Sequence, residues 1–239
     1  MLEFPPMKKL RALAFLLAAV SLSAQTPTEV EITNEAHHHQ IFQNDQVRVF
    51  SVEVAAHEAT LMHRHRHDYL YISLGPADVS NEVEGKAPVT LKLQDGQTAF
   101  LAANFAHIAR NLAPTPFRNV TIELMQDEKA RTAPPPKWDE ERGLHVLHGG
   151  TQEILFVKDG ARVSEIELQP GGMIPSHHHN GPHLVVAITD LDMRSDIEGR
   201  GPTPSQLKSG EVKWVLGGYT HTLTNVNKQP AKFVTIEFP

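Results

Sequence analysis

The sequence predicts an all-β protein made of two similar barrels that follow one another along the chain. Three observations lead to this prediction. Apolar and polar residues alternate with a period of two in short segments, turn-forming residues separate these segments, and the whole pattern occurs twice. Outside the N-terminal segment, no stretch shows the 3.6-residue period of an amphipathic helix, so we expect little helix.

The alternation is clear near the end of the chain. Val234 and Ile236 flank Thr235, an arrangement that places apolar side chains on one face of a strand and turns one face inward. Glycines after short polar residues, at 95–96 and 209–210, are typical of tight turns. Short strands with frequent turns favour a sandwich or a barrel.

The N-terminal segment has the order of a secretory signal peptide. Three basic residues within positions 8–11 precede an apolar run from Ala12 to Leu22, and small residues follow up to Ala24. The run is too short to span a bilayer whose hydrocarbon core is about 30 Å thick. We therefore expect residues 1–24 to be a signal peptide and the mature protein to be exported, either to the periplasm or out of the cell.

Charge and residue usage exclude several kinds of partner. The chain has 22 basic and 28 acidic residues, a formal net charge of −6, so it lacks the basic surface that nucleic acids or anionic membranes attract. It contains no cysteine, which excludes disulfide bonds and thiolate ligands. We expect no nucleic-acid or membrane partner, and any metal ion must be held by nitrogen and oxygen ligands.

An internal repeat divides the chain into two units. His63 and His65 recur 114 residues later as His177 and His179, and the agreement continues without a gap towards the ends of both copies. The segment between the copies contains three consecutive prolines and mixed charges, which predict a semi-rigid linker. The predicted units are an N-terminal barrel (30–125), a Pro-rich linker (126–143) and a C-terminal barrel (144–239).

Four histidines of the second copy have the spacing of a metal site. His177 and His179 are two residues apart on a predicted strand, so their side chains point to one side while His178 points to the other. His183 follows an Asn-Gly-Pro turn and can supply a nitrogen from the next strand. His221 lies on a later strand. We predict that His177, His179, His183 and His221 hold a divalent transition metal.

The same segments resemble the two signature motifs of the cupin family. The first motif has a glycine, five residues, a His-x-His pair and a glutamate, and the second has a glycine, a Pro-x-Gly turn, a histidine and an asparagine. The second copy agrees with these motifs at Gly171, His177, His179, Gly210, Gly218, His221 and Asn225. The resemblance implies two tandem double-stranded β-helix barrels of the cupin, jelly-roll-like type.

Two positions depart from the family pattern. His183 stands in place of the glutamate, and Leu216 stands in place of the motif proline. Four neutral imidazoles would leave the charge of a divalent ion uncompensated, whereas a carboxylate would cancel part of it. We therefore expect the site to favour a small anionic ligand such as an enolate, a carboxylate or a thiolate.

The first copy predicts a second and weaker metal site. Tyr69 stands in place of His183, and His57 and Asn104 replace two motif glycines, so the motif is eroded. Its three matching histidines are His63, His65 and His107.

The remaining histidines are assigned no role. The tract His37-His38-His39 lies near the mature N-terminus and is expected to be solvated. His145 and His148 lie where the linker enters the second copy, and lone histidines in such places are usually ordinary surface or core residues.

The fold does not determine function, so the site must decide between two main hypotheses. The first is a metal-dependent dioxygenase in which three histidines bind iron, manganese, copper, nickel or zinc beside an anionic substrate, while His183 is a fourth ligand or a proton shuttle. The second is a non-catalytic binding or sensing module with a closed four-nitrogen site. Sugar isomerase or hydrolase chemistry is a third alternative, and the missing carboxylate ligand disfavours an oxalate decarboxylase. No general acid or base is identified, and the resemblance also implies a homodimer.

Overall fold

The computed structural model describes residues 28–125, 143–158 and 160–239. The predicted signal peptide at 1–24 and nearly all of the predicted linker at 126–143 lie outside the described residues, so both stay predictions. The described residues form strands almost throughout, with one short 3₁₀ helix at Ile32–Asn34. No helix among them is long and apolar enough to cross a membrane. The all-β prediction is confirmed.

The N-terminal half consists of two five-stranded sheets. Its strands are β1 (Val30–Glu31), β2 (His38–Gln43), β3 (Val47–Val54), β4 (His63–His65), β5 (Tyr69–Ser73), β6 (Ala77–Val83), β7 (Val89–Leu93), β8 (Thr98–Leu101), β9 (Phe105–Asn111) and β10 (Phe117–Leu124). One sheet has the order β1-β4-β9-β6-β7 and the other β2-β3-β10-β5-β8. Side chains of both sheets line one cavity, so this half is barrel-like.

The C-terminal half has the same arrangement with its strands joined into one sheet. Its strands are β11 (Gly143–Lys158), β12 (Ala161–His179), β13 (His183–Ala187), β14 (Leu191–Ile197), β15 (Pro202–Leu207), β16 (Val212–Val215), β17 (Tyr219–Asn225) and β18 (Ala231–Glu237). The order is β15-β14-β17-β12-β18-β13-β16, with β11 beside β12. Strand β12 corresponds to β3 and β4 together. It pairs with β18 along its first part and with β17 along its second part, which joins the two sides of the barrel.

The repeat in the sequence is also a repeat of hydrogen-bond register. His63 on β4 lies opposite His107 on β9, and His177 on β12 lies opposite His221 on β17. Residues directly opposite each other on neighbouring antiparallel strands share a face of the sheet. Backbone pairing alone therefore brings each pair of distant histidines to the same side.

The two halves pack together through the outer faces of their sheets. Ile122 of β10 and Ile236 of β18 are fully buried in one hydrophobic cluster that contains residues of both halves. Their neighbours Thr121 and Thr235 point instead into the cavities of their own halves. The alternation that predicts these strands therefore separates an outer face, which packs against the other half, from an inner face that lines a cavity.

Candidate metal centres

Three histidine nitrogens converge in the C-terminal half. His177 and His179 come from β12, and His221 comes from β17. The Nε2 atoms lie 3.0 Å (His177–His179), 3.1 Å (His177–His221) and 3.2 Å (His179–His221) apart. With metal–nitrogen bonds of about 2.1 Å, two ligand nitrogens lie about 3.0 Å apart at a right angle and about 3.4 Å apart at the tetrahedral angle. The triangle of nitrogens therefore has the size that one transition-metal ion requires.

Two rings of this triad are oriented by partners at their other nitrogen. Nδ1 of His177 lies 2.7 Å from the carbonyl oxygen of Pro175, and Nδ1 of His221 lies 2.6 Å from Oγ of Ser195. A metal-binding histidine usually donates its second N–H to a partner of this kind, which fixes the tautomer and leaves Nε2 free for the ion. The rings are thus held in the orientation that metal binding needs.

Glu237 orients the third ring, a role that the sequence analysis missed. Its Oε1 lies 3.4 Å from Nδ1 of His179, and its Oε2 lies 2.7 Å from Nη2 of Arg162. Burial raises the pKa of Glu237, but hydrogen bonds from His179 and Arg162 outweigh burial, so the pKa lies below its usual value. Glu237 is therefore a carboxylate at neutral pH, and its negative charge lies on the side of His179 that faces away from the metal-binding nitrogen. The sequence carried only one signal for it, the recurrence of Glu123 as Glu237.

Replacing Glu237 by glutamine is expected to weaken metal binding at the C-terminal triad by about 10- to 100-fold, the usual effect of losing such a partner. Glutamine keeps the shape of the side chain and removes its charge. The measurement is calorimetric titration with Mn²⁺ in a His65→Ala background, which leaves one intact triad. Glu167→Gln is the matched control, because Glu167 is exposed on the same strand as His179. Equal affinities in the two variants would show that Glu237 does not support the site.

His183 lies beside the C-terminal triad. Its ring stacks on that of His179, with centroids 4.1 Å apart and planes inclined by 21°, and the residue is 4% exposed. Its Nδ1 is buried and has no hydrogen-bond partner among the described residues. The converging set contains His177, His179 and His221 without His183. The structure brings three of the four predicted ligands together, and the role of His183 as a fourth ligand stays a prediction.

The N-terminal half contains a matching triad. Ligand atoms of His63, His65 and His107 lie within 4.8 Å of one another, and the Nε2 atoms of His65 and His107 are 3.2 Å apart. Oδ1 of Asn81 lies 2.7 Å from Nδ1 of His107 and orients that ring. Nε2 of His63 is buried without a hydrogen-bond partner among the described residues. A buried nitrogen in this state fits a site built to hold an ion.

The surroundings of His65 repeat those of its counterpart in the second half, with one substitution. Oε1 of Glu123 lies 3.9 Å from Nδ1 of His65, and Oε2 accepts a 2.8 Å hydrogen bond from Nε of Arg48. Tyr69 takes the place of His183 and stacks on His65, with centroids 3.8 Å apart. Burial raises the pKa of Tyr69, so the phenol stays protonated at neutral pH. The N-terminal triad therefore has no fourth nitrogen at this position.

The eroded motif of the first copy keeps the backbone geometry of the second. His57 and Asn104 have φ angles of 63° and 67°, and the glycines at the same places, Gly171 and Gly218, have φ angles of 77° and 84°. This left-handed conformation is costly for most residues, but asparagine and histidine adopt it more readily than others. Losing the glycines has therefore not removed the turns that position the histidines.

His38 belongs to the N-terminal site, so the expectation of a solvated tract is wrong for this residue. Its side chain is 5% exposed, and its ring centroid lies 4.6 Å from that of His63. Its Nδ1 lies 2.6 Å from Oε2 of Glu35. Burial raises the pKa of Glu35, but hydrogen bonds from His38 and from the backbone of Leu61 lower it to about 2. Because consecutive strand residues point in opposite directions, one histidine of the tract is buried while the next is exposed.

Each triad opens into a cavity, and the two cavities differ. The C-terminal cavity has a volume of about 810 Å³ and a mixed polar and apolar lining, whereas the N-terminal cavity has a volume of about 250 Å³ and a mainly apolar one. Tyr71 and Leu91 narrow the N-terminal cavity at the places where Val185 and Ser205 line the other. Sites for small organic molecules usually occupy about 300 to 1,000 Å³. The C-terminal cavity is therefore the candidate substrate site.

We expect the metal-free protein to lose stability as the pH falls from about 6.5 towards 4. Burial lowers the pKa of His63 and of His183 to about 4, and that of His221 to about 3. In this interval the unfolded chain binds protons that the folded chain excludes, so each group reduces the free energy of unfolding by up to about 1.4 kcal/mol per pH unit. The contribution of each histidine to the free energy of unfolding is fully present above the pKa that the histidine has in the unfolded chain, and it is lost as the pH falls towards the pKa in the folded chain.

Urea denaturation of the chelator-treated chain at pH 7.5, 6.0 and 5.0 measures this loss. A free energy of unfolding that stays constant from pH 7.5 to 5.0 would contradict the prediction.

The fold and the two sites define a cupin-like β-barrel protein with two histidine triads that are able to bind a divalent transition metal. Solved structures with this fold include oxalate decarboxylase from Bacillus subtilis. A tryptophan-to-tyrosine variant of that enzyme aligns with a TM-score of 0.59 and 11% identity, over 81% of this chain and 69% of that chain. Its structure at pH 4.6 aligns with a TM-score of 0.59 and 12% identity, over 81% and 68% of the two chains.

A third structure of the same enzyme, described for its Mn(II) centres, aligns with a TM-score of 0.59 and 12% identity, over 81% of this chain and 69% of that chain. At this level of identity the likeness shows the fold alone. No protein-family description and no curated sequence matches the chain.

Proposed function

We propose that this chain is a bicupin and a metal-dependent dioxygenase that acts on a small anionic organic substrate in its C-terminal cavity. The observation that carries the proposal is the position of the C-terminal triad. Three nitrogens meet at the wall of a cavity of about 810 Å³, which leaves space for other ligands on the remaining side. An open coordination face is typical of catalytic metal sites, whereas structural sites are closed by protein ligands.

The residues of the cavity have separate tasks in this proposal. His177, His179 and His221 hold the ion, which when bound supplies Lewis-acid activation of an anionic ligand and, for a redox-active metal, electron transfer. Glu237 accepts a hydrogen bond from the Nδ1–H group of His179 and keeps its ring in place. His183 is neutral at pH 7, because burial lowers its pKa to about 4, and it adds no positive charge beside an incoming anion.

A non-catalytic metal-dependent binding or sensing module is the second candidate. The observation in its favour is Nδ1 of His183, which is buried next to the triad without a hydrogen-bond partner among the described residues and offers a fourth nitrogen. A site closed by four nitrogens would be structural or would bind ligands without turnover. Decarboxylation of oxalate, the reaction named for the structural neighbours, is tested in the same experiment. Histidine stands at position 183, where the carboxylate ligand expected for that reaction would be.

The test is metal analysis followed by activity measurements. The full chain is produced without a histidine tag, its metal content is measured by plasma mass spectrometry, and oxygen uptake is recorded with diketones, flavonols and small thiols. Oxalate is added in a parallel assay for formate. We expect iron, manganese or copper with oxygen uptake that is lost in His177→Ala and kept in His63→Ala. Stoichiometric zinc without turnover would overturn the dioxygenase and support the binding module.

Export and self-association are further parts of the proposal. The order of basic, apolar and small residues in 1–24 supports export, and N-terminal sequencing of the mature chain is expected to begin at Gln25. The cupin resemblance supports a homodimer, which analytical ultracentrifugation checks. A mature chain that still begins with Met1 or Met7 would contradict export, and a single monomeric species would contradict dimerisation.

A further inference from the structure

A lysine side chain lies in the wall of the C-terminal cavity. Lys213 of β16 is opposite Val185 of β13, and both line the cavity. The lysine is half-buried, and its Nζ donates a 2.9 Å hydrogen bond to Oγ of Ser205. No carboxylate of the described residues forms an ion pair with it. A half-buried ammonium group loses part of its hydration, and one neutral hydrogen-bond partner replaces only some of that free energy. An anion beside the group would therefore be stabilised.

The lysine lies on the same wall of the cavity as the metal centre. Lys213 is opposite Val185, and two residues further along β16, on the same face of the sheet, Val215 is opposite His183. His183 in turn stacks on His179 of the triad. A ligand held at the triad and extended along this wall would therefore meet the ammonium group.

The same position in the first half has no charge. Ala99 takes the place of Lys213, Leu91 that of Ser205 and Tyr71 that of Val185, and all three line the smaller N-terminal cavity. The lysine and its serine partner are thus features of one cavity and not of the repeat. The C-terminal wall also carries apolar side chains, such as Met193 and Leu207.

We propose that the C-terminal cavity binds an organic acid that places a metal-binding group at the His177–His179–His221 triad and a distal carboxylate at Lys213, with an apolar segment between them. This inference rests on the proposed function, because it uses the metal at the triad as the first anchor, and it names the class of substrate. Lys213 acts as a specificity residue: it selects ligands that carry a second negative charge at a distance from the metal-binding end.

The experiment compares matched pairs of 2-oxo acids on the Mn²⁺-loaded full chain. 2-Oxoglutarate is compared with 2-oxopentanoate, and 2-oxoadipate with 2-oxohexanoate, so that the members of each pair differ only in the distal carboxylate. Binding is measured by calorimetry after the metal content has been determined. In at least one pair, the dicarboxylate is expected to bind about tenfold more tightly, as for a charge-assisted hydrogen bond in a partly buried site.

The Lys213→Met variant is expected to lose this preference, with about tenfold weaker binding of the dicarboxylate and less than a twofold change for its partner. Lys213→Arg keeps the charge and is expected to retain the preference, which separates loss of charge from damage to the fold. Lys208→Met is the control, because Lys208 forms an ion pair with Asp190 at the surface.

Two outcomes overturn the inference in distinguishable ways. If the chain loads Mn²⁺ but binds both members of each pair equally, or if Lys213→Met leaves the preference unchanged, the inference fails while the proposed metal site stands. If the native chain binds no metal at all, both the inference and the proposed function fail, and this is visible before any organic acid is added.

Discussion

A His179→Ala variant is expected to lose metal binding in the C-terminal half and to keep it in the N-terminal half. His179 supplies one corner of the triangle of nitrogens, with its Nε2 3.0 Å from that of His177 and 3.2 Å from that of His221. It is also the ring that Glu237 orients. Two remaining imidazoles do not hold a divalent ion firmly, so we expect the affinity for metal to fall by more than about 100-fold, a larger loss than that expected for removing a residue that orients a ligand.

The adjacent residue provides the control for this experiment. His178 is exposed on the opposite side of the strand, with its Nδ1 3.0 Å from Oγ1 of Thr220, so His178→Ala is expected to bind metal as the native chain does. Plasma mass spectrometry of dialysed samples gives the number of ions per chain, and calorimetry gives the affinity. Equal loss of metal in both variants would show that the strand, and not the triad, was disturbed.

An Ile236→Ala variant is expected to destabilise the whole chain by about 2 to 5 kcal/mol, the range for removing a large buried aliphatic side chain. Ile236 is fully buried in the cluster that both halves share, where Ile122 is its counterpart. Because the cluster belongs to both halves, the loss should appear in one cooperative transition that includes the N-terminal half. Separated halves would each expose this face, and a large exposed apolar face favours association.

Urea denaturation followed by far-ultraviolet circular dichroism and by tryptophan fluorescence measures both the size of the loss and its cooperativity. Trp214 stacks on Phe42 of the other half, with centroids 6.0 Å apart, so its emission reports on the contact between the halves. Val226→Ala serves as control, because Val226 is 46% exposed, and its free energy of unfolding should change by less than about 0.5 kcal/mol. Two well-separated transitions in the native chain would contradict a shared core.

The histidines of both triads could be predicted from the sequence because their spacing follows directly from strand geometry. Residues two apart on a strand share a face, which predicts His177 beside His179, and the repeat places His221 at the position of His107. Glu237 could not be recognised in this way. Its contact with His179 joins strands from different parts of the chain, and a glutamate in an alternating strand is usually solvated.

His38 and Lys213 were missed for a related reason. A histidine tract and a single lysine between apolar residues are both common on protein surfaces, and sequence alone does not show which side of a strand faces the interior. The alternation in the last strand predicts that one face turns inward, but it does not show that Ile236 packs against the other half.

The amino-acid sequence is enough to predict the all-β class, the duplication and the three histidines of each candidate centre, since these follow from the two-residue period of a strand and from residues that recur at one offset. The folded chain is needed to show which face of each strand lines a cavity. It also shows that Glu237 and Glu123 lie beside His179 and His65, and that Lys213 and His38 line the cavities. These features depend on contacts between strands that are far apart in the chain. An alternating pattern of residues does not itself show what each face of the strand packs against.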